Sequence, residues 1–322
     1  MIIVWRVSER CNLSCKFCGF DRELQRPRAE ADPGSILRLA PILSEYQRGT
    51  GDAVLVSWLG GEPLLWKPLT ALTQRFVRDH RLRVSTTTNG TTLGSPGVRA
   101  HLLEYYSELT ISVDGVGAFH DRSRGWAGGY GGLRRDVMAL ANEKRHGRVG
   151  PLLRANVLLM RQTIAGFAQL CFELSEWGFE EVTFNQLGGN DRPEFYPAHR
   201  LLPEQADRFT EELPGLRAAL ARRGLRLGGG EPYLRRIRAS SRDERLPVDD
   251  CKPGQQFLFI NETGLVAPCS FSAFGYGVPV AEIGSVETLC ELPARFAEQR
   301  QRRRLAPCED CHSTRIFEKF AA

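Results

Sequence analysis

Three cysteines fall within eight residues near the start of the sequence, Cys11-Asn12-Leu13-Ser14-Cys15-Lys16-Phe17-Cys18. Three thiolates on one short loop hold three irons of a four-iron cluster and leave the fourth iron open to another ligand. A zinc site asks for a fourth Cys or His close by, and this loop has none. A second set lies far along the chain: Cys251, Cys269 and the pair Cys308-Glu309-Asp310-Cys311. Two single thiols and a C-x-x-C close a four-thiolate shell, and the spacing suits zinc and an iron–sulfur cluster alike. Two of the nine cysteines remain, Cys171 on an apolar helical stripe and Cys290 in a helix-like run with Val286 and Leu289, and both read as buried packing thiols.

The nine cysteines also say something about surroundings. Met1 to Trp5 is too short for a signal-peptide core and reads as a strand. A reducing, cytoplasmic setting is expected, where clustered thiols mean metal or catalysis rather than a disulfide framework. No apolar run reaches the length of a membrane span. The net charge of +5 is a mild excess, and runs such as Arg300 to Arg304 read as solvated helix faces rather than a nucleic-acid patch.

Something must position these thiols. Six apolar runs recur between turn residues: Ile2–Val7, Ala53–Trp58, Leu82–Thr86, Leu109–Val113, Leu152–Leu159 and Glu181–Asn185. Helical patterns alternate with them. Asp32-Pro33 caps one that continues through Ile36, Leu39, Ala40 and Leu43. Another carries Ile164, Phe167, Ala168, Cys171, Leu174 and Trp177 on one face. Such alternation predicts an α/β fold, a partial (β/α)6 parallel barrel with its site at the carboxyl ends of the strands. Residues 1–200 form that barrel and 201–245 a connecting helical segment, with a helix over 203–223 that Pro214 is able to break. Residues 246–322 read as a small appended domain held by its cysteines. It contains a hairpin, Phe257–Ile260 and Leu265–Ala267, and a helix near Val286 to Arg304.

The thiol loop directly follows the first run, and its C-x-x-x-C-x-aromatic-C pattern, with Phe17 at the aromatic position, resembles the radical S-adenosylmethionine (SAM) superfamily. The resemblance implies a [4Fe-4S] cluster on Cys11, Cys15 and Cys18 whose open iron is chelated by SAM. One electron then cleaves SAM to a 5′-deoxyadenosyl radical that abstracts a substrate hydrogen. It extends to four more strand ends. Gly60-Gly61-Glu62-Pro63 matches the family's G-G-E-P segment, implying that this turn and Glu62 bind the amino group of SAM. Thr88-Asn89-Gly90 resembles its T-N-G, and Ser112-Val113-Asp114-Gly115 its S-x-D-G, with Ser112 and Asp114 toward ribose or carboxylate. His120 to Gly125 resembles H-D-x-x-R-G, with Arg124 pairing with the SAM carboxylate, and Asn156 stands where the family contacts adenine or ribose. Outside the resemblance, the Asn-Gly and Asp-Gly turns are what any strand end favours.

The tail resembles the C-terminal extension of SPASM and twitch radical SAM enzymes. Its four ligands, Cys251, Cys269, Cys308 and Cys311, match the shorter twitch type with one auxiliary [4Fe-4S] cluster. Twitch relatives oxidise or epimerise alcohols on aminocyclitols and aminoglycoside sugars in antibiotic biosynthesis. No module precedes the first strand in this sequence, which favours a small metabolite over a peptide. The expected function is dehydrogenation or epimerisation of such a substrate, fed by an external flavodoxin- or ferredoxin-type electron donor. In an epimerase, Cys251 or Cys290 would be the hydrogen donor. An amino sugar would need acidic groups, and Asp191, Glu194 and Glu231 are candidates by loop location alone, with ordinary solvated loop acids as the plainer reading. The alternatives are a maturase acting on a ribosomal peptide with a separate leader-binding partner and, in another class, an iron–sulfur electron carrier. A zinc-bound RNA-binding module lacks the concentrated basic and aromatic surface it needs.

Overall fold

The structure, a computed structural model, describes residues 1–147 and 150–321. Six strands run parallel as neighbours in chain order: β1 (Ile2–Ser8), β2 (Leu55–Gly60), β3 (Arg83–Thr88), β4 (Glu108–Ser112), β5 (Leu152–Leu159) and β6 (Glu181–Gln186). The expected runs land on these strands with ends shifted by a residue or two. Helices cross between them. Asp32 caps the helix Pro33–Thr50 by accepting from the N–H groups of Gly34 and Ser35. The helix Phe167–Trp177 buries Phe167, Leu170, Cys171, Leu174 and Trp177 against the sheet. Inward residues of the strands, among them Trp5, Val56, Trp58, Val84, Ile111 and Phe184, form one continuous core with these helices. The helix Pro203–Ala221 passes Pro214 unbroken, because Phe209, Leu213 and Leu220 bury one face and offset the missing hydrogen bond.

The tail joins the barrel's sheet: β8 (Phe257–Ile260) pairs in parallel with β1, and β9 (Leu265–Ala267) and β10 (Val278–Pro279) extend antiparallel beyond it. At the other edge β7 (Arg226–Leu227) adds to β6. One ten-stranded sheet therefore runs β10-β9-β8-β1-β2-β3-β4-β5-β6-β7, and residues 246 onward share it with the barrel. Within 201–245, expected as a connecting helical segment, the helix Pro203–Ala221 is followed by a two-residue strand and the helix Glu231–Ser241. The expectation of a buried Cys290 is corrected: on the helix Val286–Arg302 it faces solvent, while Leu289, Leu292 and Phe296 take the buried face. Cys171 is fully buried. Among the described residues no helix is long and apolar enough to cross a membrane.

Candidate active site

The end of β2 touches the start of the thiol loop. Gly61 N–H donates to the Ser8 carbonyl at 2.8 Å and Glu62 N–H to the Arg10 carbonyl at 2.8 Å. A Cβ on Gly60 would stand 2.5 Å from the Ser8 carbonyl oxygen, and one on Gly61 2.4 Å from that of Arg10. Only glycines let the two strand ends meet, and that meeting sets the loop's position. From the other side, Ser14 N–H donates to the Arg124 carbonyl at 3.3 Å. The loop is thus clamped between the ends of β2 and the segment after β4.

The three thiols open on one cavity of about 390 Å³. Gly60, Gly61, Asn89, Ser112, Arg124, Asn156 and Phe17 line it with Cys11, Cys15 and Cys18, so most of the sequence-derived set does converge. The strand-end rule accounts for most of this, since these residues come from the ends of β1 to β4 and the segments after them, with Asn156 within β5.

Glu62, Pro63 and Asp114 do not line the cavity. Glu62 is 1% exposed. One carboxylate oxygen accepts from Thr88 Oγ1 at 2.7 Å and Leu64 N–H at 3.1 Å, the other from Asn89 N–H at 2.6 Å. Its role in this geometry is to hold the turn after β3 against the turn after β2. Burial pushes its carboxyl up to about 7, with the bonds from Asn89 and Thr88 pulling the other way. Asp114, with no exposed surface, accepts from Arg124 Nε at 2.9 Å and Nη2 at 2.6 Å, and from Leu158 N–H at 2.8 Å. Burial works against the Arg124 charge, and Asp114 together with the Cys15 and Cys18 thiols more than offsets it. The guanidinium also stands 5.8 Å from the centre of the Phe17 ring. Asp114 therefore aims the one cation of this wall. His120 is buried, and burial followed by the Arg124 charge pulls its imidazole down to about 3, so its neutral Nδ1 accepts from Asp114 N–H at 3.1 Å.

The donor set of the loop fits a cluster. N–H groups point at sulfur: Leu13 N at 3.5 Å and Asn89 Nδ2 at 3.7 Å from Cys11, and Phe20 N at 3.4 Å from Cys18. Such donors favour thiolate. Burial first, and then the neighbouring thiols and carboxylates, hold Cys15 up at about 12 and Cys18 at about 11, so bound cations are what would make them thiolates. Among the described residues no three Cys, His, Asp or Glu side chains close on one point as a single ion requires. Thiols spaced around a cavity suit a cluster, where each binds a different iron.

Cys251, Cys269, Cys308 and Cys311 line a second, smaller cavity of about 50 Å³, walled by Phe257, Phe271, Tyr276 and three prolines, with Arg300 and Arg315 at its border. The C-x-x-C is braced from the barrel side. Arg236, 1% exposed, pairs with Asp310, whose Oδ1 also accepts from Leu246 N–H at 3.1 Å. The short run after it separates the two cavities. Cys311 and Ser313 line the smaller one, His312 and Thr314 the larger, and Phe271 both. This alternation is that of extended backbone.

The wall of the large cavity away from the thiols was not foreseen. It carries Asn185, Gln186, Asn190, Tyr233, His312 and Thr314, with Asp191 alone of the three suspected loop acids. Glu194 pairs with Arg192, and Glu231 with Arg238 at 2.9 Å, both exposed. The strand-end rule points to Asn185 and Gln186, at the end of β6. Nothing local marks Tyr233 or His312, which come from distant segments.

Residues 5–149 match the model of the radical SAM superfamily. An AdoMet-dependent heme synthase of Oleidesulfovibrio alaskensis is 25% identical over 288 residues, 84% of this chain and 69% of that protein. A pre-heme d1 synthase of Dinoroseobacter shibae is 34% identical over 133 residues, 40% of this chain. That match spans only 30% of the Dinoroseobacter protein's length. Among solved structures, SuiB of Streptococcus suis bound to S-adenosylmethionine overlays with a TM-score of 0.68, covering 98% of this chain and 71% of that one at 15% identity. Native anSMEcpe with bound AdoMet does so with 0.68, 98% and 88% at 15% identity. At these identities the two structures show a shared fold, tail included. The span similar to the radical SAM superfamily model holds the thiol loop, the glycine pair and Arg124, which line one cavity, together with Asp114, which fixes Arg124 from behind.

Proposed function

We propose that the chain is a radical SAM dehydrogenase acting on a small, polar substrate rich in hydroxyl or amino groups, with an auxiliary cluster beside the reaction cavity. In this reading Cys11, Cys15 and Cys18 hold the SAM-binding cluster, and Cys251, Cys269, Cys308 and Cys311 the auxiliary one. Bound there, SAM and the clusters supply a hydrogen-abstracting radical and an acceptor for one further electron. Arg124, fixed by Asp114, receives the carboxylate of SAM, and Asn89, Ser112 and Asn156 present polar groups to the rest of it. Glu62 is a brace for that wall rather than a ligand. An external low-potential electron carrier completes the system.

The observation that carries oxidation over epimerisation is where the thiols are. All four tail thiols line one small cavity, Cys290 is exposed to solvent and Cys171 is buried in a helix. That leaves no thiol in the large cavity beyond the first three to return a hydrogen to a substrate radical. The wall shared by the two cavities at Cys311–Thr314 favours electron removal across it.

The lining speaks to substrate class. The far wall offers amides, hydroxyls, an imidazole and Asp191, and among the described residues Arg124 is the only Arg or Lys lining the cavity. The heme-synthase relatives raise a tetrapyrrole as substrate, but its carboxylates would find no second Arg or Lys here. A peptide is the second reading. The cavity opens along the exposed residues Gly188, Asn190 and Asp191, and SuiB and anSMEcpe, which share the fold, have been solved with the peptides SuiA and Cp18Cys.

The test is anaerobic release of 5′-deoxyadenosine, screened against amino sugars, peptides and porphyrins. A product lighter by two hydrogens from a polyhydroxylated substrate is the expected result. Solvent deuterium entering carbon without net oxidation overturns dehydrogenation. Release with peptides alone transfers the reading to a maturase.

A further inference from the structure

Lys319 retains 6% of its surface, an unusual place for an ammonium group. Its segment is laced to the β6–β7 edge of the sheet. Gly230 N–H donates to the Glu318 carbonyl at 3.1 Å, and Arg226 Nη1 to the Phe320 carbonyl at 3.0 Å. Gly228 packs so closely that a Cβ there would stand 2.9 Å from the Lys319 carbonyl oxygen. This anchoring brings the side chain to Asn156 on β5. There Nζ donates to Asn156 Oδ1 at 2.7 Å, and Thr183 Oγ1 donates to the same oxygen at 3.3 Å.

Asn156 lies on β5 and lines the large cavity. Its amide has one acceptor end and one donor end, and a half-turn would exchange them. An ammonium only donates, so the end that meets Lys319 must be the oxygen. The nitrogen is left facing the other way and has no partner among the described residues.

We propose that Lys319 is a positioning residue of the cofactor site: it locks the Asn156 amide so that its Nδ2–H groups point into the cavity, as donors to an acceptor atom of the adenosyl moiety. The proposal rests on the reading of Asn156 as a SAM contact. Burial, then Arg154, pulls the Lys319 amine down to about 7, while Glu181 opposes them. The lock therefore belongs to the ammonium form, since a neutral amine also accepts and no longer selects the oxygen end. Nothing in the sequence around Lys319 marks it for this role, since it comes to Asn156 only through the fold.

The test measures the affinity of cluster-loaded protein for S-adenosylhomocysteine, anaerobically by calorimetry, in a cycle of Lys319→Met, Asn156→Ala and the double variant. Loss of one oriented hydrogen bond predicts about tenfold weaker binding for either single variant, with no further loss in the double. Lys319→Gln, which fills the same space but bonds either end of the amide, should also lose several-fold, and Lys319→Arg, donor-only, should retain affinity. The KM for SAM should rise in Lys319→Met while kcat at saturating SAM changes little. Equal losses from Lys319→Met with and without Asn156 overturn the proposal and leave Lys319 a structural plug. If Lys319→Met does not stay folded, the same cycle on Lys319→Gln decides. Full affinity in Asn156→Ala instead overturns the reading of Asn156, and no binding by the wild type overturns the assignment of the cavity to SAM.

Discussion

The two thiol sets are built on opposite plans. The first has three sulfurs on one loop at the mouth of a cavity of about 390 Å³ whose wall is polar. The second has four sulfurs from three separate segments around about 50 Å³, walled by aromatic rings and prolines. An incomplete shell on an open cavity invites a ligand to the uncovered iron. A complete shell in an apolar pocket excludes one and leaves electron transfer as its natural use. The distance along the chain differs too: the first set is made by local sequence, the second only by folding residues 251 and 311 together.

The sharpest break of this comparison is Cys11→Ala. Release of 5′-deoxyadenosine should fall to background, and iron from about eight to about four per chain. Cys308→Ala should lower iron by the same amount yet leave measurable 5′-deoxyadenosine, while the two-electron-oxidised product disappears. Product formed at an undiminished rate by Cys308→Ala would remove the electron-transfer role from the second set. About four irons plus one zinc in the wild type would replace its cluster with a metal ion.

Within the first site, the Asp114–Arg124 pair is the next largest effect. Arg124→Ala strands a carboxylate with no exposed surface, so unfolding in urea should show a loss of about 3–5 kcal/mol. The KM for SAM should rise as well, and Arg124→Lys should recover part of the stability but not the forked contact.

The smallest expected effect isolates Glu62. Its carboxyl sits at about 7 against an ordinary value of 4.5, so the folded state holds the proton more tightly than the unfolded one. Its contribution to stability is therefore full below about pH 4.5 and lost as the pH rises through about 7, on the order of 3 kcal/mol. The urea midpoint of wild type should fall across that window more than that of Glu62→Gln. Parallel curves would mean that Glu62 does not carry the buried proton.

Much of the site was legible because its chemistry is local. Three thiols in eight residues, a glycine pair after a strand, and Asp114 ten residues before Arg124 are each close in the chain and placed by the ends of adjacent strands. Parallel strands betray themselves by their apolar runs, so β1 to β6 were readable too. The misplacements share a cause. Whether Glu62 faces ligand or scaffold depends on Thr88 and Asn89 taking its oxygens, and whether Cys290 is buried depends on which face of its helix meets the sheet. Neither is a property of spacing.

From the sequence alone come the three-thiol loop, the turns that follow each strand and the parallel order of the barrel, because hydrogen-bonding periodicity and short-range spacing are written in neighbouring residues. Tertiary structure alone decided that the tail shares the barrel's sheet through the β1–β8 pairing, and that Cys311 to Thr314 divide one cavity from the other. It also decided that Lys319 reaches Asn156 across 163 residues of chain. Contacts at that separation are chosen by packing and by the satisfaction of buried polar groups, and both are settled only when the whole chain has folded.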